Sequence, residues 1–138
     1  MERILFLCLH NSARSQMAEG FARQLLGGRG DIEVWSAGTE PRGVNPYAVR
    51  AMAEKGIDLS GHRSKHIDQA PPPTRVVTLC DESEEVCPAF PAAVTIEHWA
   101  LPDPSRGEGS DEEKLQVFQT VRDEIERRVQ KLAERVTA

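Results

Sequence analysis

The sequence predicts an α/β fold, a four-stranded parallel sheet with helices on both faces, formed as one domain over residues 1–138. Two patterns carry this expectation. Four short apolar runs, Arg3 to Cys8, Ile32 to Ala37, Arg75 to Cys80 and Ala93 to Trp99, are separated or followed by stretches whose apolar residues recur at helical spacing. Strands alternating with helices pair in parallel, because each return to the sheet is a crossover, and such crossovers are right-handed. A third observation bounds the size: 138 residues with 39% hydrophobic content suffice for one core without disulfides or metal.

Taken in order, the run from Arg3 to Cys8 reads as the first strand, and the helix from Ser15 carries Met17, Ala18, Phe21, Ala22, Leu25 and Leu26 at helical spacing before Gly27-Gly28 ends it. The second strand is expected to break at Gly38. Asn45-Pro46 supplies an N-cap followed by proline at the first helical position, and Val49, Met52 and Ala53 give that helix its buried face up to Gly56. Pro71-Pro72-Pro73 forms a rigid connector that no central strand could contain. The third and fourth strands follow. From Asp111, Leu115, Phe118, Val121, Ile125, Val129 and Leu132 mark one stripe of a long charged helix.

Composition narrows the function. A net charge of −5 argues against nucleic acid as an electrostatic partner, so any bound anion has to be held locally. No apolar run approaches the roughly 18 residues that cross a bilayer, and the N-terminal run is too short for a signal sequence, so a cytoplasmic protein without membrane association is expected. The three cysteines, Cys8, Cys80 and Cys87, are an odd number, which disfavours a static disulfide framework and leaves catalysis, metal binding or redox cycling open.

In parallel sheets ligands bind beyond the carboxyl ends of the strands. Cys8, Cys80 and the Asp103-Pro104 loop all follow strands, so the topology can bring them to one edge. The segment Cys8-Leu9-His10-Asn11-Ser12-Ala13-Arg14-Ser15 places a thiol at a strand end, five loop residues, then an arginine and a hydroxyl opening a helix. Successive N–H groups of Leu9, His10, Asn11, Ser12, Ala13 and Arg14 form a nest for an oxyanion. The helix N-terminus adds about half a positive charge, and Arg14 offers two parallel donors. The same field favours the thiolate of Cys8 and makes it a nucleophile, with Ser15 donating to the sulfur. Asn11 suits a left-handed backbone and can tie the loop through its amide. A lone cysteine at a strand end is ordinarily a small buried hydrophobe; the complete C-x5-R-S run is what outweighs that reading.

This run resembles the phosphate-binding loop of the low-molecular-weight protein tyrosine phosphatases and of the arsenate reductases that share their fold. The likeness extends through Ser36-Ala37-Gly38, Gly43-Val44-Asn45-Pro46, Gly56-Ile57-Asp58, His98-Trp99 and Asp103-Pro104, nearly the whole chain. It implies a low-molecular-weight tyrosine phosphatase-like fold, Cys8 as nucleophile, Arg14 as oxyanion clamp, Ser15 as thiolate stabiliser and Asp103 as general acid. Cys80 and Cys87 stand where the thioredoxin-coupled arsenate reductases carry their second and third cysteines, and Val77-Thr78-Leu79-Cys80-Asp81 looks like that family's segment. The resemblance therefore favours arsenate as substrate. A hydrolase needs only water, whereas arsenate reduction takes two electrons, which thiols supply by ending as a disulfide.

The implied chemistry is a thiol relay of the arsenical-resistance type. Cys8 attacks arsenic, Asp103 protonates the departing oxygen, Cys80 attacks the Cys8 sulfur and expels arsenite, and Cys87 resolves the product to a Cys80–Cys87 disulfide for reduction by thioredoxin. In one regular helix the two Cα atoms of Cys80 and Cys87 lie about 10 Å apart, beyond the roughly 7 Å that a disulfide spans. A marginal helix over this polar segment is expected to unwind as the disulfide forms. No cofactor and no metal are implied, and a monomer is expected. Two other readings stay open: a phosphatase of phosphotyrosine or a small ester, which also stands as a side activity, and a redox or oxyanion sensor.

The chain departs from the resembling loops in carrying His10 where glycine is common and Ala13 where many have another cysteine. His10, His62, His66 and His98 are expected to be structural or solvated. Some relatives bind potassium through residues matching Asn11 and Ser36, but Lys65 stands where those proteins carry an acid, so no potassium requirement is expected.

Overall fold

The computed structural model describes residues 1–80 and 89–138; Cys87 and the expected marginal helix lie outside the described residues. Four strands, β1 (Glu2–Cys8), β2 (Ile32–Gly38), β3 (Arg75–Thr78) and β4 (Thr95–His98), and three α-helices, α1 (Arg14–Leu26), α2 (Pro46–Ala53) and α3 (Asp111–Val136), follow the predicted order. Single 3₁₀ turns at Ile67–Gln69 and Pro104–Arg106 join them. The sheet is parallel throughout, in the order β2-β1-β3-β4. The connection from β1 leaves to one side and that from β3 to the other, so the switch point lies between these two central strands, with the crevice beyond their carboxyl ends. Cys8 ends β1, and Cys80 follows β3 by two residues.

Alternation along β1 divides the core. Ile4 and Phe6 enter the larger cluster with Met17 and Phe21 of α1, Met52 of α2 and Phe118, Val121, Ile125, Val129 and Leu132 of α3, whereas Leu5 and Leu7 face Val76 and Ala37 on the opposite side. Each large apolar side chain so buried stabilises the fold by about 1.5–3 kcal/mol. Cover of the two faces is uneven. Among the described residues all three α-helices pack on the first face, while the second is closed by Ile67 of the 3₁₀ turn, Ala70, Phe90 and Val94.

Boundaries moved by one to a few residues where the chain approaches the crevice. α1 begins at Arg14, one residue early, and α2 starts as expected, with the Asn45 side chain accepting from Tyr47 N at 2.8 Å. β3 stops at Thr78 instead of reaching Cys80, although Leu79 N still donates to Leu7 O at 2.9 Å. β4 is confined to Thr95–His98 because β3, its one partner, offers four residues to pair with. β2 ends at Gly38 as expected, the glycine itself being its last paired residue, opposite Cys8.

Candidate active site

The loop between β1 and α1 is held from below by a buried polar network. Asn11 adopts φ 47°, the left-handed conformation its short amide tolerates. Its Oδ1 accepts from Lys65 N at 2.9 Å and from Gln16 Nε2 at 2.9 Å, which fixes the amide orientation. The amide nitrogen therefore presents both hydrogens to hydroxyl oxygens, Ser15 Oγ at 2.7 Å and Ser36 Oγ at 3.0 Å. Each serine keeps its own proton: Ser36 donates to the Glu19 carboxylate, and Ser15 Oγ lies 2.8 Å from Cys8 Sγ, to which it donates when that sulfur is a thiolate. Cys8, Asn11, Ser15 and Ser36 are all buried.

The network ends in a buried ion pair. Lys65 Nζ lies 3.7 Å from Glu19 Oε1 and donates to Arg63 O at 3.2 Å, and Arg23 Nε donates to Glu19 Oε2 at 2.6 Å. Burial pushes the Glu19 carboxyl up, but the Ser36 hydrogen bond, Lys65 and Arg23 together outweigh it and hold Glu19 below its ordinary value. Burial pulls the Lys65 ammonium down, against the opposing pull of Glu19.

Above this floor, Cys8, His10, Ser12, Ala13 and Arg14 line a cavity of about 210 Å³ together with Arg42, Asn45, Asp103 and Ser105. Ala13 at the N-cap of α1 supplies no capping side chain, so the cap itself does not occupy the donors at that helix N-terminus. Among the described residues, the backbone N–H groups of Leu9, His10, Asn11, Ser12 and Ala13 have no acceptor. Buried N–H groups seldom go unmatched, and such a run of donors fits an oxyanion. Arg14 is 3% exposed, with Nη1 anchored on Leu101 O at 2.9 Å, so the loop after β4 sets the guanidinium. Asp103 caps the second 3₁₀ turn through Oδ1, which accepts from Ser105 N at 2.9 Å and Ser105 Oγ at 2.7 Å. Its Oδ2 lies 3.8 Å from Arg106 Nε.

Cys80 is fully buried and packs with Cys8 and Leu9 in a small cluster of its own. Six of the nominated residues, Cys8, His10, Ser12, Ala13, Arg14 and Asp103, thus line one cavity, with Ser15 and Asn11 beneath it and Cys80 beside Cys8. His10 is the exception among the histidines, since it lines the cavity: its Nδ1 donates to Glu40 O at 3.0 Å, which leaves Nε2 as the basic nitrogen of the neutral ring. His62, His66 and His98 bond to Gln16, Asp68 N and Thr78. Sequence reasoning missed Arg42, Asn45 and Ser105 at the cavity, and Gln16 and Glu19 below it. Only the i,i+3 spacing of Gln16 and Glu19 offered a signal, and it does not distinguish buried polar residues from solvated ones.

A cysteine at the switch point of a parallel sheet, below a cavity edged by a helix N-terminus and a run of backbone donors, is an arrangement that fits a tetrahedral oxyanion. The chain belongs to the low molecular weight phosphotyrosine protein phosphatase family, whose model matches residues 3–138. It is 51% identical over 133 residues to a protein of Shouchella clausii named arsenate reductase, with 95% of this chain and 94% of that one covered. Among solved structures it resembles an arsenate reductase in the oxidised state (37% identity, 99% of both chains, TM-score 0.82). It also resembles a thioredoxin-dependent arsenate reductase of Corynebacterium glutamicum (26% identity, TM-score 0.73), covering 99% of this chain and 62% of that one.

Proposed function

We propose that this protein reduces arsenate to arsenite by a three-cysteine relay, as a monomer without a bound cofactor, and is regenerated by thioredoxin. Arsenate sits on the amides of residues 9–13 and the Arg14 guanidinium. The Cys8 thiolate, steadied by the Ser15 proton, attacks arsenic, and Asp103 delivers a proton to the departing oxygen, which leaves as water. The Cys80 thiolate then attacks Cys8 sulfur. The arsenic–sulfur bond breaks with its electron pair going to arsenic, which falls from As(V) to As(III), and arsenite departs as a Cys8–Cys80 disulfide forms. Cys87 attacks Cys80, releasing Cys8 and producing the disulfide that thioredoxin reduces.

The observation that carries this reading over simple hydrolysis is the packing of Cys80 on Cys8. A hydrolase resolves its covalent intermediate with water, whereas a buried second sulfur beside the nucleophile is the group a reductive relay requires. The arsenate reductases at about half identity, and the thioredoxin dependence of the Corynebacterium protein, support the same conclusion. The test supplies arsenate, thioredoxin, thioredoxin reductase and NADPH, then repeats the assay with glutathione and glutaredoxin. Arsenate-dependent NADPH oxidation matched by arsenite release is expected with thioredoxin. Hydrolysis of p-nitrophenyl phosphate without arsenite release in either system assigns the protein to the phosphatases instead.

A further inference from the structure

We propose that Arg42 is a second cation of the oxyanion site, binding the outward-facing oxygens of a doubly charged tetrahedral anion and setting the preference of the cavity for dianions. The inference rests on the oxyanion reading of the cavity given above. Arg42 lines the same cavity as Cys8 and Arg14. Its place there is fixed by the backbone, not by chance of a long side chain. Residues 40–45 run alongside the anion loop, with Glu40 N donating to Leu9 O at 2.8 Å, Arg42 N to His10 O at 3.1 Å and Asn45 N to Ser12 O at 2.9 Å. Pro41 precedes Arg42, and Gly43 follows at φ 88°, in the left-handed region that glycine adopts readily.

The guanidinium of Arg42 has no hydrogen-bond or ion-pair partner among the described residues. Most other arginines of the fold are engaged, including Arg3 with Glu33, Arg75 with Glu97 and Arg122 with Glu54. Charge accounting gives this cation a task. A thiolate and a dianion together bring three negative charges into the cavity. Arg14 offsets one, the α1 N-terminus about half, and Asp103 when ionised adds another negative charge. The chain as a whole carries −5, so the distant field opposes dianion entry. A second guanidinium lining the same cavity as the sulfur lowers that deficit, and its planar fork matches two oxygens of a tetrahedral ion. A lysine at this place keeps the charge and loses the fork.

The experiment uses inorganic phosphate as the probe, on the reduced full chain, and follows phosphate protection of Cys8 from iodoacetamide by peptide mass spectrometry. It needs no turnover. Arg42→Gln is expected to require about tenfold more phosphate for half-protection and to show a shallower dependence on salt, with Arg42→Lys recovering part of the loss. In arsenate turnover the same change raises KM and leaves kcat within about twofold. Equal half-protection in wild type and Arg42→Gln, at matched thermal midpoints, overturns the role of Arg42 alone. Absence of protection in the wild type overturns this inference together with the oxyanion site beneath it.

Discussion

Asn11 and Ser15 are joined by a 2.7 Å hydrogen bond in which the Asn11 amide is the donor, and this bond holds the Ser15 hydroxyl beside Cys8. When Cys8 is a thiolate its Sγ, 2.8 Å away, can only accept, so Ser15 Oγ is then the donor. A hydrogen bond to a charged group contributes about 1.5–3 kcal/mol. Ser15→Ala is therefore expected to lower kcat for arsenate roughly 10- to 100-fold, with little change in KM, while Ser15→Thr restores most of the rate. Unchanged kcat in Ser15→Ala contradicts a stabilising role for the hydroxyl.

Gly38 is predicted to tolerate no side chain. An added Cβ would lie 2.6 Å from Leu9 O, 2.8 Å from Asn11 N and 2.9 Å from Cys8 O, all backbone atoms of the anion loop that cannot step aside singly. Gly38→Ala forces β2 and the loop apart, at a cost of about 1–3 kcal/mol, or a thermal midpoint lower by roughly 5–10 °C. Because the displaced atoms carry the N–H run, phosphate affinity is expected to fall with it. A calorimetric scan and a phosphate titration on the same preparation check both.

The Glu19 pair gives the fold an acid limit. Glu19 in the folded protein titrates below its ordinary value of 4.5, so the unfolded chain binds the extra proton first. The contribution of this group is complete above that value and is lost as pH falls through the lower folded one. Glu19→Gln should flatten this part of the stability curve below pH 4.5 and lower stability at pH 7, as measured by urea unfolding. A parallel curve in wild type and variant rules the pair out as the source. The ammonium of Lys65 already supplies a positive charge beside Glu19. Exchanging sodium for potassium at constant ionic strength is thus expected to leave the wild-type rate unchanged, and severalfold stimulation counts against that.

How much of this was legible before any coordinates depends on the range of the contacts. The loop from Cys8 to Ser15 was readable because strand, anion nest and helix start are consecutive, and its left-handed Asn11 follows from that residue's own chemistry. The parallel sheet was readable because strand and helix periods alternate. β2 ends at Gly38 as the sequence predicts, but why a glycine stands there is not legible locally, since its need for close approach comes from Leu9 and Asn11, some 27 or more positions away. Arg42 and Glu19 were invisible for the same reason: a charged residue in a loop or on a helix looks solvated until the partner, or the lack of one, is known. Cys80 beside Cys8 sat between these cases, because the β1–β3 register that sets it is a long-range fact with a local cause.

The relay itself is separable by one substitution. In the proposed sequence, arsenite leaves when Cys80 attacks Cys8 sulfur, before Cys87 takes any part. Cys87→Ser is then expected to release about one equivalent of arsenite per chain in the absence of thioredoxin, and to stop there, because the Cys8–Cys80 disulfide is left buried with both of its sulfurs in the packed cluster. Cys80→Ser, by contrast, releases none and retains arsenic on Cys8. Rapid quench with arsenite quantification, and mass analysis of the trapped chain, distinguish the two. Sustained turnover of Cys87→Ser with thioredoxin would mean that the first disulfide is itself the reduced species, and the third cysteine would lose its place in the mechanism. A wild-type rate of phosphate ester hydrolysis in both variants is the further expectation, since hydrolysis needs neither Cys80 nor Cys87.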